Sequence, residues 1–334
     1  MNCVHSSFMT KFKKSDFMDK ITLIIALIVM VVLFSILNPN YWSMQNLTNI
    51  LTALSLMGFV AIAETYLIIG NQIDLSAGSI AAFSSVLAAY LVKSGFNPIV
   101  ALLFVILAGC CVGALNAAAI NHLKLQPFIA TLASMSIVRG FAYILCNGRA
   151  IGISNADFNK LGSYRIFDFL PLPVLILILA FIIFAYILSR TYFGRSIYVL
   201  GGNAYAAKLA GLNPVKIVYK LYILSGALAA LAGVLLAARM NSGQPSSANG
   251  LEFDAVTAAV LGGAAFTGGT GTILGTVIGM LILQSFNTGL LMMGVQTFWQ
   301  QVAKGLLLVV ALAFDYLRKR SKAKRAVEES KHNN

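Results

Sequence analysis

Charge is what this chain has least of. Only 10% of its 334 residues are Asp, Glu, Lys or Arg, against about 25% in an ordinary soluble domain. Hydrophobic residues make up 59% and the mean hydropathy is +0.84. No soluble core hides that much apolar surface, so a soluble enzyme and a disordered chain are excluded and an all-α polytopic membrane protein is expected. Cysteine and histidine are scarce as well. Cys3, Cys110, Cys111 and Cys146 form no disulfide framework and no metal spacing, and His5, His122 and His332 belong to no zinc pattern. Cys110 and Cys111 lie inside an apolar run, where cysteine acts as a small hydrophobe. HExxH and GxSxG are absent, which removes the usual equipment of intramembrane proteolysis and lipid hydrolysis. GGAAFTGGTGT imitates a phosphate loop but lacks the closing Gly-Lys-Ser/Thr, so the chain has no ATP site of the usual kind. No catalytic residue, metal or cofactor is expected.

What is present is a succession of apolar runs: 21–37, 48–70, 78–92, 99–121, 127–145, 171–188, 217–238, 254–268, 272–293 and 299–317. They give about ten transmembrane helices, with 78–92 and 254–268 short enough to be tilted, broken or partly inserted. The first run follows Lys11, Lys13, Lys14 and Lys20 without a small-residue cleavage site, and reads as an uncleaved span. The formal charge of +13 would suggest nucleic acid in a soluble protein, but the bases cluster between apolar runs. If the runs alternate from a cytoplasmic N-terminus, inner segments carry 17 of the 24 Lys and Arg, and outer segments carry Lys93, Arg149, Lys160, Arg165 and Arg239. That bias places both termini inside. The organisation expected is a basic N-terminus over 1–20, a membrane domain over 21–317, and a basic tail over 318–334 that lies against the membrane surface.

Glycine spacing points to tight helix packing. Gly271, Gly275 and Gly279 recur at four-residue intervals, as do Gly109 and Gly113, which flattens one helix face for a neighbouring backbone. Ionisable groups inside runs cost roughly 2.5–3.5 kcal/mol each on insertion scales. Glu64, Arg139 and Lys304 qualify; each either lines a polar path or pairs across an interface. Glu64 is the residue a proton- or sodium-coupled carrier would use. Asp74 and Ser76 open the third run, Asp74 reading first as a helix N-cap and second as a path residue. Asn116, Gln284 and Asn287 complete the path candidates, with interhelical hydrogen bonding as their alternative. The outer loop 146–170, with Arg149, Lys160 and Arg165, suits charge-complementary docking.

The inner segment 189–216, RTYFGRSIYVLGGNAYAAKLAGLNPVK, is amphipathic, has turn points at Gly201, Gly202 and Gly211, and ends in Asn-Pro. A short docking helix on the cytoplasmic face would look like this. GGNAYAAKLAGL resembles the coupling motif of permease subunits in ribose-type ABC sugar importers. The resemblance continues through IDLSAGS at 73–79, QPFIATLASMSIVRGFAY at 126–143, 250–279 and FNTGL at 286–290, in order and over residues 40–317. IVRGFAYI, GRAIGI and RMNSGQP look closest to L-arabinose permeases; ribose, xylose, galactose and the autoinducer-2 signal stay open. Asn71 and Gln72 replace the family's usual glycines, and Ala264 its usual threonine.

The resemblance implies a homodimeric permease around one path, a cytoplasmic ATPase docked on the coupling segment, a periplasmic or lipoprotein sugar-binding protein, and a bacterial inner membrane. It assigns coupling to Gly201, Gly202, Asn203, Ala206, Ala207, Leu209 and Gly211. Two rivals stand beside it: a self-contained ion-coupled carrier using Glu64, and a non-transporting membrane scaffold or receptor.

Overall fold

The computed structural model describes residues 21–166 and 170–313. The basic ends expected over 1–20 and 318–334 lie outside those residues. In chain order the helices are α1 Ile21–Leu37, α2 Met44–Ile69, α3 Ala77–Lys93, α4 Pro98–His122, α5 Pro127–Leu145, α6 Ala156–Ser163, α7 Leu172–Arg190, α8 Tyr192–Gly202, α9 Ala204–Leu209, α10 Pro214–Met240, α11 Leu251–Leu261, α12 Ile273–Met292 and α13 Thr297–Ala313. Two-residue strands β1 Ile151–Gly152 and β4 Ser242–Gly243 pair antiparallel, as do β2 Arg165–Ile166 and β3 Leu170–Pro171.

Each apolar run contains a helix. Among the described residues six helices, α2, α4, α5, α7, α10 and α12, are long and apolar enough to cross a membrane; α1, α3 and α13 are shorter apolar helices. Starts are set by local chemistry. Pro98, Pro127, Pro173 and Pro214 stand in the first turns of α4, α5, α7 and α10, where a missing N–H costs nothing. Ser43, Asn97, Asn213 and Thr272 cap α2, α4, α10 and α12 with side-chain oxygens.

Most of α2 and α10 is buried, whereas α4, α5 and α7 expose most of their apolar length. The former pair forms the centre and the latter the periphery. Close approach to the centre depends on glycine. A side chain at Gly113 would run into the Tyr222 carbonyl, and one at Gly109 into the Gly226 carbonyl, so α4 lies backbone to backbone on α10.

The run 254–268 does not hold one long helix. Helix α11 has 11 residues, about 16 Å at 1.5 Å per residue, roughly half of a ~30 Å hydrocarbon core. It ends where Gly262 meets the backbone of Gly275 and Gly263 takes φ +90. Irregular chain precedes it. Residues 243–248 run alongside α3: Gly243 abuts Ser85 and Ala89, the Gln244 N–H faces Ser85 Oγ at 3.4 Å, and the Ala248 carbonyl lies against Gly78. Non-helical backbone of this kind survives in a membrane protein only where it is buried in protein or lines a wet cavity.

Candidate functional site

The residues expected to couple lie on a projection made of two short helices, α8 and α9. The segment expected to form a single short helix is two, α8 and α9, because the chain turns at Asn203. Its φ of −162 and ψ of 107 break the helix, and its Oδ1 accepts from the N–H groups of Tyr205 at 2.9 Å and Ala206 at 3.0 Å, starting α9. At the far end Gly211, φ +79, closes the helix: its N–H bonds the Lys208 carbonyl at 3.1 Å and Leu212 N–H bonds the Ala207 carbonyl at 3.0 Å. This double bond pattern with a left-handed residue is a Schellman stop, and Asn213 then caps α10 through Lys216 N–H at 3.1 Å.

Burial divides the seven residues into anchors and surface. Gly201 and Ala207 are buried, Gly201 because any side chain there would strike the Ile69 carbonyl. Gly202, Asn203, Ala206, Leu209 and Gly211 are exposed. A side chain at Gly202 would meet nothing within 4 Å. Tyr205 and Leu209 are each 72% exposed, an apolar pair that polar solvent alone does not explain. The base of the projection is tied down. Tyr198 OH donates to the Gly271 carbonyl at 2.7 Å, and Gly269 N–H donates to the Ile69 carbonyl at 2.8 Å.

The six path candidates fall in three places. Asp74, Asn116 and Glu64 are buried. Asp74 does not cap α3, whose N-cap position is Ser76. It sits two residues too early and instead closes a turn on Ser76, accepting from that residue's N–H at 2.9 Å and from its hydroxyl. Its second oxygen accepts from Ser225 Oγ at 2.7 Å, and Asn116 Nδ2 donates to Ser76 Oγ at 2.9 Å. The result ties the 70–76 connection to α4 and α10. Both Glu64 carboxyl oxygens are buried without a hydrogen-bond partner.

Arg139 is elsewhere. Its Nε donates to Ser79 Oγ at 3.2 Å, and one terminal nitrogen donates to the carbonyls of Pro245 at 2.9 Å and Ser247 at 2.7 Å. It satisfies the irregular chain beside α3. Gln284 and Asn287 occupy the third place, a cavity of about 340 Å³ between α2, α10, α11, α12 and α13. Lys304 lies on the same cavity and pairs with Asp254 at 2.7 Å. Sequence reasoning singled out Lys304 but missed Asp254, which stands at the edge of its apolar run; an opposite charge in a neighbouring run was the available signal. Ser225 and Gln300 were also missed, and polar residues without charge or motif give no such signal.

Of the packing glycines, Gly275 and Gly279 lie on α12 against the Gly262 and Ala258 carbonyls of α11. Gly271 stands before the helix, with φ +150. At the opposite end from the projection, Arg149, Lys160 and Arg165 are exposed. Lys160 pairs with Asp157 at 2.8 Å, and its hydrogen bond and charge hold the Asp157 carboxyl below the usual range while the Lys160 ammonium is held above its own.

Comparison with known proteins adds a family and relatives. The family described as branched-chain amino acid transport system / permease component matches residues 46–312. The ribose import permease protein of Bacillus subtilis (strain 168) is 38% identical over 306 residues, covering 91% of this chain and 94% of that one. The L-arabinose ABC transporter permease protein of Azospirillum brasilense is 35% identical over 294 residues, covering 87% and 86%. The L-arabinose transport system permease protein of Escherichia coli (strain K12) is 35% identical over 309 residues, covering 92% and 93%. No solved structure matches.

Proposed function

The chain belongs to the branched-chain amino acid transport system / permease component family, and from that premise we propose that it is the membrane-spanning subunit of an ATP-driven importer of a pentose, arabinose or ribose. The observation that carries this reading is the near full-length similarity to ribose and L-arabinose import permeases. The chain is a transport permease and not an enzyme; hydrolysis belongs to a separate ATPase subunit. Nothing among the relatives supports a self-contained ion-coupled carrier.

The finer parts of the reading are proposed with support from the geometry. Ten crossings are made by nine helices and by α11 together with the irregular chain that precedes it. The contacts sort accordingly. Strands β1 and β4 meet at one end, where Asn38 Nδ2 also donates to the Met292 carbonyl at 2.9 Å. The projection meets Ile69 and Gly269 at the other. Alternation of this kind supports both termini on the cytoplasmic side, with the projection there and the basic outer loop facing a sugar-binding protein. Two copies form the path. ATP binding closes the ATPase pair; Tyr205 and Leu209 carry the motion into α8, and the bundle opens outward to receive sugar.

The test is reconstitution in vesicles with the companion ATPase and binding protein. Uptake of arabinose or ribose is expected to require ATP and to survive an ionophore. Uptake without the ATPase, or its collapse with the ionophore, refutes the assignment. Gly202→Trp tests the coupling surface separately, since the site has open space and the chain's own fold is undisturbed. ATP hydrolysis is expected to continue while uptake falls at least tenfold; normal uptake removes the docking role of Gly202.

A further inference from the structure

We propose that the cavity between α2, α10, α11, α12 and α13 is a sugar-binding site within the permease itself. It receives a neutral monosaccharide after release from the binding protein. The proposal rests on the import reading above and adds to it a place where this chain recognises the sugar. The cavity measures about 340 Å³, at the lower end of the range for small-molecule sites. Its polar lining is Gln284, Asn287, Gln300, Asp254 and Lys304, with Arg239 at the exposed rim. Six such groups facing lipid would be prohibitively costly, so this opening holds water or a polar ligand.

The hydrogen-bond inventory specifies the ligand further. Lys304 and Asp254 neutralise each other at 2.7 Å. Lys304 spends one of its three N–H donors there, and Asp254 keeps its second oxygen. Gln284 donates to Thr288 Oγ1 at 3.2 Å and Gln300 donates to the Val295 carbonyl at 2.7 Å, which leaves both amide oxygens as acceptors. Asn287 also belongs to the lining, with its Oδ1 buried and unpartnered. The site therefore offers both acceptors and free N–H donors, two of them on Lys304 and one on each glutamine. A polyol answers that pattern, because every hydroxyl both donates and accepts. Leu56 and Met57 on the α2 wall offer apolar surface for the C–H faces of a sugar ring. A branched-chain amino acid, the substrate class in the family's description, would bring a full ammonium and carboxylate to a site whose own two charges already neutralise each other, whereas a sugar brings none.

The irregular chain reaches the same place. Ala248 and Leu251 belong to the lining, so the non-helical stretch beside α3 ends at the cavity wall. Broken helices at membrane depth are where transport proteins expose backbone groups to solute.

Two measurements on the assembled importer decide the matter. In vesicles containing permease, ATPase and binding protein, Asn287→Leu and Gln284→Leu are expected to lower the number of pentose molecules moved per ATP hydrolysed by at least tenfold. An unchanged ratio in both variants, whether the two rates stay normal or fall together, overturns the proposal. Absence of ATP-driven uptake by the unmodified chain would instead overturn the import reading. In the second measurement Cys3, Cys110, Cys111 and Cys146 are replaced by alanine, and Asn287→Cys in that chain is alkylated with a maleimide. Millimolar arabinose or ribose is expected to slow labelling at least threefold, and leucine is expected not to. Equal slowing by leucine, or none by either sugar, also overturns the proposal.

Discussion

Arg139 shows how a guanidinium is tolerated inside an apolar bundle. Among the described residues it meets no carboxylate at salt-bridge distance; it donates to Ser79 Oγ and to two backbone carbonyls at 2.9 and 2.7 Å. A planar fork with five donors suits that task better than an ammonium. Arg139→Leu leaves the Pro245 and Ser247 carbonyls without donors, at a cost of about 1–3 kcal/mol per buried group. A clear drop in the thermal midpoint of the purified protein is expected. Arg139→Lys is expected to recover part of it, and wild-type melting of the leucine variant would show that the bonds are unimportant. Sequence made Arg139 visible as an intramembrane charge and left pairing or path-lining open. Its partners could not be read, because carbonyls 106 and 108 positions away carry no side-chain signature. The same holds for Asp74. Its place before a helix suggested a cap, while its actual bonds to Ser76 and Ser225 depend on α10 lying beside the turn.

At the scale of elements, packing is decided by where backbones touch. Helix α4 is apolar on nearly every face, and its closest backbone approach to α10 is along Gly109 and Gly113. Gly113→Leu would push its side chain into the Tyr222 carbonyl and force the helices apart. Overpacking of this kind typically costs 1–3 kcal/mol. Lower yield of folded protein and a lower midpoint are expected, whereas Gly140→Leu, where the space is open, is expected to change neither. Equal behaviour of the two variants would discard the packing argument. Helix positions were legible because most apolar runs are long and several begin at Pro, Asn or Ser. The length of α11 was not, because residues after Leu261 stay apolar and only the backbone turn at Gly262 and Gly263 ends the helix. The docking segment was legible as amphipathic and glycine-punctuated; its division into α8 and α9 follows from one extended residue, Asn203.

For the whole molecule, the arrangement of charge and contact predicts sidedness. A cysteine placed at Lys160, on exposed α6, is expected to react with an impermeant thiol reagent applied outside intact cells. One placed at Lys208, on exposed α9, is expected to react only after the membrane is opened. Reversal of that pattern would invert the whole assignment of faces. The polytopic class was evident from composition alone, since so few charges are available to cover a surface in water. The layered arrangement, with α2 and α10 inside and α4, α5 and α7 outside, was hidden, because central and peripheral spans are equally apolar when the solvent is hydrocarbon.

The bond between Gly269 N–H and the Ile69 carbonyl, with Gly201 pressed on the same carbonyl, gives the molecule a lever. Helix α2 has 26 residues and is therefore a rod of about 39 Å. Its foot is gripped by the projection, and its upper part, at Ala53, Leu56 and Met57, forms one wall of the polar cavity. On the docking reading proposed above, a shove at the foot would swing that wall and reshape the chamber toward the other end of the rod without any signal passing from residue to residue.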